Sequence, residues 1–311
     1  MKRRNFLGIS LASVFAFASR TAIAGNAKRN RQKAFRIVQF TDMHIYPSEK
    51  VEKAINALIN EVNALEDQPD FILNTGDSIM DALKKSKEDV TAQWEAWQNY
   101  FYNKLKYKVF SCIGNHDVWG WGLSGQVVKN DPLYGKTWAM KELKLSNRYY
   151  SFEHKNWKFI GLDSSHFSNN RRAYTAKLDE EQFSWLESEL ANTHSKTSVC
   201  IFSHIPILSS SVFFDGNNEK DGDWRVPGAW MHIDARKIKD LFHKYPNVKV
   251  ALSGHIHLAD RTEYLGVNYY CNGAVCGAWW NGNSQEFAPA YAIMDFYNNG
   301  SAEARLVPYK F

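Results

Sequence analysis

Five short polar motifs, each containing aspartate, asparagine or histidine, follow apolar segments of the 311-residue chain. In chain order they are Asp42-Met43-His44, Gly76-Asp77-Ser78, Gly114-Asn115-His116-Asp117, Ser203-His204-Ile205-Pro206 and Gly254-His255-Ile256-His257. Mixtures of imidazole and carboxylate ligands suit Mn, Fe or Zn. One ion cannot take so many ligands, so the motifs predict two metal ions that share a carboxylate, and Asp77 is the natural bridge.

Each motif also has a purely structural explanation when it is taken singly. An Asp-x-His or Gly-His-x-His segment is often only a polar turn, and Gly114-Asn115-His116-Asp117 is compatible with a type I′ turn. All five motifs together, in this order and each at the end of an apolar segment, favour metal binding over five unrelated turns.

The motifs need strands and helices that bring them to one place. Buried strands are predicted for the apolar segments that precede them, which are residues 35–40, 71–73, 109–113, 197–202 and 248–252. Helical spacing of apolar side chains predicts helices over 51–65 and 94–105. Because the carboxyl ends of strands in an α/β sheet share one edge, the motifs can converge there. This β-α-β-α-β start and a β-rich C-terminal region predict two packed sheets flanked by helices.

Two long irregular segments, residues 118–148 and 209–230, interrupt this pattern and carry or adjoin many aromatic residues. Such side chains can stack on a nucleobase or an aryl group, or they can pack the loops against the sheets. As a group they predict an aromatic-walled substrate pocket. His166, near the end of another predicted strand, is a further candidate for binding the substrate. The candidate substrate-binding residues are Trp119, Trp121, Tyr134, His166, Trp279 and Trp280.

Residues 1–24 have the organisation of an export signal. A basic head is followed by an apolar run over 6–18 and by the small-residue pattern Ala22-Ile23-Ala24, a cleavage site. The segment Arg3-Arg4-Asn5-Phe6-Leu7 resembles the twin-arginine export motif, whose pathway carries folded proteins. An ordinary secretory signal and an uncleaved anchor are the alternatives. We therefore predict a periplasmic or otherwise exported protein without a membrane anchor after cleavage, with the twin-arginine machinery as a partner, a linker over 25–34 and one catalytic domain over 35–311.

Composition and charge narrow the classes of partner. The chain is 44% hydrophobic and 23% charged, which excludes a disordered chain, a coiled coil and a small disulfide scaffold. The formal charge of +5 falls to +1 without residues 1–24, which contain four basic and no acidic residues. A nucleic-acid polymer is therefore not predicted as a partner. Cys112 and Cys200 are predicted to be buried thiols, whereas Cys271 and Cys276 are close enough in sequence either to pair or to stay free.

The series Asp-x-His, Gly-Asp, Gly-Asn-His-Asp, His and Gly-His-x-His resembles the calcineurin-like metallophosphoesterase superfamily, with a looser similarity to its cyclic-nucleotide phosphodiesterases. The resemblance covers residues 42–257 and extends loosely to about Pro308. It implies an α/β fold, a four-layer α-β-β-α sandwich of two mixed β-sheets, with a dinuclear metal centre. It also implies that one ion is held by Asp42, His44 and His257, the other by Asn115, His204 and His255, and that Asp77 bridges them.

The resemblance further implies that His116 is a catalytic histidine that binds no metal and that Asp117 orients it. Two cations roughly 3.5–4 Å apart neutralise a phosphate ester and acidify a bridging water, and the resulting hydroxide attacks phosphorus. The predicted activity is hydrolysis of a small phosphodiester, with cyclic nucleotides as the leading class. A phosphomonoesterase or nucleotidase with the same site, and a binding scaffold without catalysis, are the alternatives.

Overall fold

The computed structural model of the protein describes residues 31–124, 126–169 and 172–310. The predicted signal peptide, residues 1–24, and most of the predicted linker lie outside the described residues. The first strand, β1, spans Lys33–Phe40. The last two residues of the linker predicted at 25–34 therefore belong to this strand.

The first β-sheet contains the amino-terminal and carboxyl-terminal strands of the domain. Its strands lie in the spatial order β15 (Ala302–Pro308), β14 (Ala290–Tyr297), β1, β2 (Phe71–Asn74) and β3 (Val109–Ser111). The strands β1, β2 and β3 are parallel, while β14 pairs antiparallel with both β1 and β15. The parallel strands are joined by helices α1 (Glu49–Asn63) and α2 (Lys87–Tyr100), so the β-α-β-α-β prediction is confirmed.

The second β-sheet has a parallel centre and antiparallel edges. Its order is β12 (Asp260–Tyr264), β13 (Val267–Cys271), β11 (Val248–Ser253), β8 (Ser198–Phe202), β5 (Trp157–Gly161) and β4 (Tyr150–His154). The strands β5, β8, β11 and β13 are parallel, and β4 and β12 are antiparallel to their neighbours. The C-terminal region, predicted to be β-rich, forms two hairpins that belong to different sheets.

The two sheets pack face to face between two layers of helices. In β1, Phe35 and Ile37 join the core between the sheets, while Val38 and Phe40 join the core beneath the helices α1 and α2. Helices α5 (Glu180–Ala191) and α6 (Ala235–Lys244) cover the outer face of the second sheet. This alternation buries both faces of each sheet and confirms the predicted four-layer α-β-β-α sandwich.

Among their described residues, the two irregular segments contain only short regular elements. They hold helices α3 (Gln126–Lys129) and α4 (Thr137–Glu142) in residues 118–148, and a 3-10 turn (Ser211–Phe213) with strands β9 (Glu219–Lys220) and β10 (Asp223–Trp224) in residues 209–230. A small hairpin between the segments is formed by β6 (Ser165–Phe167) and β7 (Tyr174–Ala176), and a second 3-10 turn is Tyr102–Lys104.

The four cysteines are all buried free thiols. The predictions for Cys112 and Cys200 are therefore confirmed, and Cys271 and Cys276 do not pair. Cys271 Sγ instead lies 3.2 Å from Gly254 O, and Cys276 Sγ lies 3.9 Å from His257 Nδ1. None of the helices in the described ranges combines the length and the apolar composition that a membrane-spanning segment requires.

Candidate metal centre

The five polar motifs converge at the carboxyl ends of β1, β2, β3, β8 and β11. Their backbone is unusual, because many of the predicted ligands have positive φ angles that side chains other than glycine rarely adopt. The φ angles are 51° at Asp42, 44° at His44, 51° at Asp77, 74° at His255 and 60° at His257. Backbone strain of this kind collects at functional sites, where the surrounding structure holds it in place.

Two motif glycines allow this convergence. A Cβ atom on Gly114 would collide with the backbone and carboxylate of Asp77, and one on Gly254 would collide with Thr41 and with the carboxylate of Asp42. The glycines are therefore required because the chain passes directly over the two carboxylates.

In both Asp42 and Asp77, one carboxylate oxygen accepts hydrogen bonds from neighbouring residues and the other points into the site. Asp42 Oδ2 accepts hydrogen bonds from Thr41 Oγ1 at 2.7 Å and His255 N at 2.8 Å, while Oδ1 is buried and has no hydrogen-bond partner among the described residues. Asp77 Oδ1 accepts from His116 N at 2.8 Å. Asp77 Oδ2 lies 3.1 Å from His204 Nε2 and 3.6 Å from His44 Nε2, so one oxygen reaches both halves of the site.

The four imidazoles are held in the tautomer that a metal ligand needs. Each contacts a backbone carbonyl oxygen through one ring nitrogen: His44 Nδ1 with Met80 O at 3.2 Å, His204 Nδ1 with Thr75 O at 2.9 Å, His257 Nδ1 with Gly277 O at 2.6 Å and His255 Nε2 with Ala229 O at 2.9 Å. Donation of an N–H to a carbonyl leaves a lone pair on the other nitrogen. The carbonyls therefore aim four lone pairs into the site.

These lone pairs face one another across short distances. His44 Nε2 lies 3.2 Å from His257 Nε2, and His204 Nε2 lies 3.2 Å from His255 Nδ1 and 3.0 Å from Asn115 Oδ1. Burial lowers the pKa of His44 and of His255 to about 3, so neither ring supplies an extra proton at neutral pH. Burial also opposes protonation of His204, but the Asp77 carboxylate raises the pKa of that ring to about 9, and Cys276 and Asp42 likewise raise the pKa of His257 against its burial. Bound cations would replace the protons on these two rings, and the residues therefore fit metal ions.

The acceptors separate into two groups that share Asp77. Asp42, His44 and Asp77 form one group, and Asp77, His204 and His255 form the other, each with ligand atoms within 4.8 Å of one another. The structure thus brings all seven predicted ligands together, with His257 beside the first group and Asn115 beside the second. The sequence did not predict Cys276, which forms a third group with His44 and His257.

His116 is positioned by a residue that the sequence interpretation missed. Its Nδ1 lies 3.0 Å from Asp81 Oδ1, and its ring centroid is 5.2 Å from that of His44. The prediction that Asp117 orients His116 is wrong, because Asp117 accepts hydrogen bonds from the backbone amides of Ser78, Ile79 and Gly114 instead. Through these hydrogen bonds Asp117 joins the loop after β2 to the loop after β3. Burial and the Asp77 carboxylate raise the pKa of Asp117 to about 7.

Replacing Asp81 with alanine is expected to slow the predicted ester hydrolysis about 10- to 100-fold, the range found when a histidine at a metal site loses its carboxylate partner. Asparagine is the conservative variant and should lose less activity, because His116 Nδ1 and Leu83 N both contact Asp81 Oδ1 and an amide oxygen can accept from both. Kinetics of Asp81→Ala, His116→Ala and the double variant measure the coupling. If Asp81 acts through His116, the double variant is no slower than His116→Ala; additive losses would contradict this role.

The aromatic candidates occupy three different environments. Trp279 is 41% exposed and lies over the metal centre, 4.1 Å from the His44 ring. Trp119 and Trp280 are buried, and their indole N–H groups donate to Lys85 O and His44 O, so the prediction that they contact substrate is wrong. Both pack the loops against the helix-side core of the first sheet.

The other three candidates lie away from the metal ligands. Trp121 and Tyr134 line a separate cavity of about 310 Å³ together with Phe167. The mostly buried His166 ring lies 3.7 Å from Asp179 Oδ2, at the N-terminus of α5. The predicted single aromatic pocket is therefore divided, and Trp279 is the candidate whose ring lies against the imidazoles of predicted ligands.

Comparison with known proteins finds relatives along most of the chain. Residues 35–259 match the family model described as Calcineurin-like phosphoesterase. The 3′,5′-cyclic-nucleotide phosphodiesterase alr5338 of Nostoc sp. is 24% identical over 294 residues, covering 90% of this chain and 95% of that protein. The probable glycerophosphodiester phosphodiesterase GpdQ of Arcobacter nitrofigilis is 25% identical over 237 residues, 73% of each chain. A dimetal phosphatase from Danio rerio has the same fold, with a TM-score of 0.60 at 12% identity, covering 90% of this chain and all of that one.

Proposed function

The chain belongs to the calcineurin-like phosphoesterase family, and we propose that it is an exported hydrolase of small phosphodiesters that uses two ions of Mn, Fe or Zn. It is a metal-dependent phosphoesterase, and its phosphodiesterase relatives support hydrolysis of phosphodiesters. Cyclic nucleotides are the leading substrate class, because the relative that covers 90% of the chain is named for that activity.

The observation that carries the proposal is the set of lone pairs directed at two adjacent positions that share Asp77. A phosphate ester is an anion that repels nucleophiles. Two metal ions, when bound, neutralise this charge and acidify a water molecule. The mature chain has a formal charge near zero, so attraction for an anionic substrate is assigned to this site rather than to lysine and arginine.

The part of His116 is to deliver a proton to the leaving oxygen. Its Nδ1 contacts Asp81, which leaves Nε2 as the atom that donates. Burial opposes protonation of this ring, but the carboxylates of Asp77 and Asp81 raise its pKa above the ordinary value. Asp81, which is not among the predicted metal ligands, thus favours the protonated form that a general acid needs.

A substrate screen tests the proposal. Purified protein, reconstituted separately with Mn, Fe or Zn, is assayed against 3′,5′-cyclic nucleotides, glycerophosphodiesters, nucleoside monophosphates and aryl phosphodiesters, and its metal content is measured. We expect two ions per chain and the highest kcat/KM for a diester. Faster turnover of monoesters would identify a phosphomonoesterase, and two bound ions without hydrolysis of any ester would identify a binding scaffold.

Export is proposed to follow the twin-arginine route. Replacing Arg3 and Arg4 with lysine keeps the charge of the basic head but removes the arginine pair, so we expect the full-length protein to stay in the cytoplasm. Fractionation of cells that express the wild-type chain or the double variant measures this. Continued export of the variant would indicate an ordinary secretory signal instead.

A further inference from the structure

Trp279 packs against the histidines of the candidate metal centre. Its ring centroid lies 4.1 Å from that of His44, 5.1 Å from His116 and 5.3 Å from His257. Nevertheless 41% of the residue is exposed. Part of the indole therefore packs on the imidazoles of the site, and the rest is open to a molecule that enters it.

The backbone fixes this ring relative to the metal centre. Trp279 and Trp280 have φ angles of 55° and 66°, a region that bulky side chains rarely occupy. The turn is tied down because Trp280 Nε1 donates to His44 O at 2.9 Å and Lys50 Nζ donates to Trp280 O at 2.5 Å. The backbone of His44, a predicted metal ligand, thus also helps to fix the turn that carries Trp279.

Packing alone does not explain this arrangement. Trp280 is only 1% exposed and fills the core beneath the turn, while the neighbouring Trp279, which also has a positive φ angle, exposes a large apolar surface. Strain that the surrounding structure maintains is a mark of function. An indole ring offers a rigid π-face on which any nucleobase can stack, whatever its hydrogen-bonding edge.

We propose that Trp279 is a specificity-determining residue, a stacking platform for a nucleobase or aryl group whose phosphodiester lies at the metal centre. This inference rests on the proposed function and adds the residue that recognises the base or aryl group of the substrate. It implies selection for planar aromatic substituents with little discrimination between purines and pyrimidines. Simple alkyl phosphodiesters lack the group that the platform contacts.

The test compares two substrates with the same reacting atoms. One is 3′,5′-cyclic AMP, and the other is the 3′,5′-cyclic phosphate of methyl riboside, which lacks the base. Trp279→Ala is expected to lower the ratio of their kcat/KM values about tenfold, the effect of losing one base–aromatic stack. Trp279→Phe should restore most of the ratio. The matched control is Tyr264→Ala, because Tyr264 is 48% exposed at the far end of β12 and should leave the ratio unchanged.

The outcomes separate this inference from the proposed function. An unchanged ratio in Trp279→Ala overturns the platform, including the case in which both rates rise together because the ring merely covers the site. If the wild-type enzyme hydrolyses only monoesters, the proposed function fails, and the ratio measured with AMP and ribose 5-phosphate then tests the platform. An enzyme that hydrolyses neither class overturns both.

Discussion

Replacing Asp77 with asparagine is expected to remove both metal ions and to reduce phosphodiester hydrolysis by more than the roughly 10²–10⁴-fold that one acid–base group contributes. Asp77 Oδ2 is the atom that reaches both His44 and His204, and the substitution replaces a carboxylate oxygen with an N–H donor in one of the two orientations. The amide oxygen can still accept from His116 N, as Asp77 Oδ1 does at 2.8 Å. The loop is thus retained while the shared ligand is lost.

The stability of the Asp77→Asn protein should also lose its dependence on metal. Metal binding stabilises a folded protein by mass action, by about 2.7 kcal/mol at one hundred times Kd. A chelator should therefore lower the Tm of the wild type but not that of Asp77→Asn.

A matched control separates metal loss from general destabilisation. Asp163 is fully buried like Asp77, but it pairs with Lys136 and Arg148 instead of facing the site. Asp163→Asn should lower the Tm and still bind two ions per chain. Metal analysis, Tm with and without chelator, and turnover compare the two variants. An Asp77→Asn protein that keeps both ions and near wild-type turnover would refute the bridging role.

The fold could be predicted from the sequence because buried strands and helices leave recognisable patterns of apolar residues along the chain. Strands such as β8 are buried on both faces, with Cys200 and Phe202 between the sheets and Val199 and Ile201 under the helices. Such strands appear in the sequence as short apolar runs, and helices between them make the sheet parallel. The split of the C-terminal hairpins between two sheets was not predicted, because local patterns do not reveal which sheet edge a hairpin joins.

The predicted metal ligands follow from strand ends, but the partners that position them do not. The carbonyls that orient the imidazoles belong to the backbone and have no signature in residue type. Asp81 follows Asp77 by four residues, yet its contact with His116 joins two different loops, so spacing along the chain could not identify it. Trp279 and Trp280 are adjacent, and only the left-handed turn sends one to the site and the other into the core.

Replacing His116 with alanine is expected to leave both metal ions bound and to slow hydrolysis by about 10²–10⁴-fold for esters with poor leaving groups. His116 contributes only its backbone N–H to Asp77, and alanine retains that group. The loss should shrink towards unity as the leaving alcohol becomes more acidic, because an acidic alcohol departs without a proton. Turnover of a series of phosphodiesters, from alkyl to 4-nitrophenyl leaving groups, measures this dependence.

The slope of that series, rather than the size of the loss, decides the role of His116. A histidine that only shaped the site would slow every ester equally, since binding and nucleophilic attack do not depend on the leaving alcohol's need for a proton. His154→Ala is the control, because this partly exposed ring pairs with Asp70 at 2.7 Å at the end of β4, away from the metal centre. Its series should overlay the wild type. A His116→Ala series parallel to the wild type would exclude proton donation and leave His116 as a positioning residue.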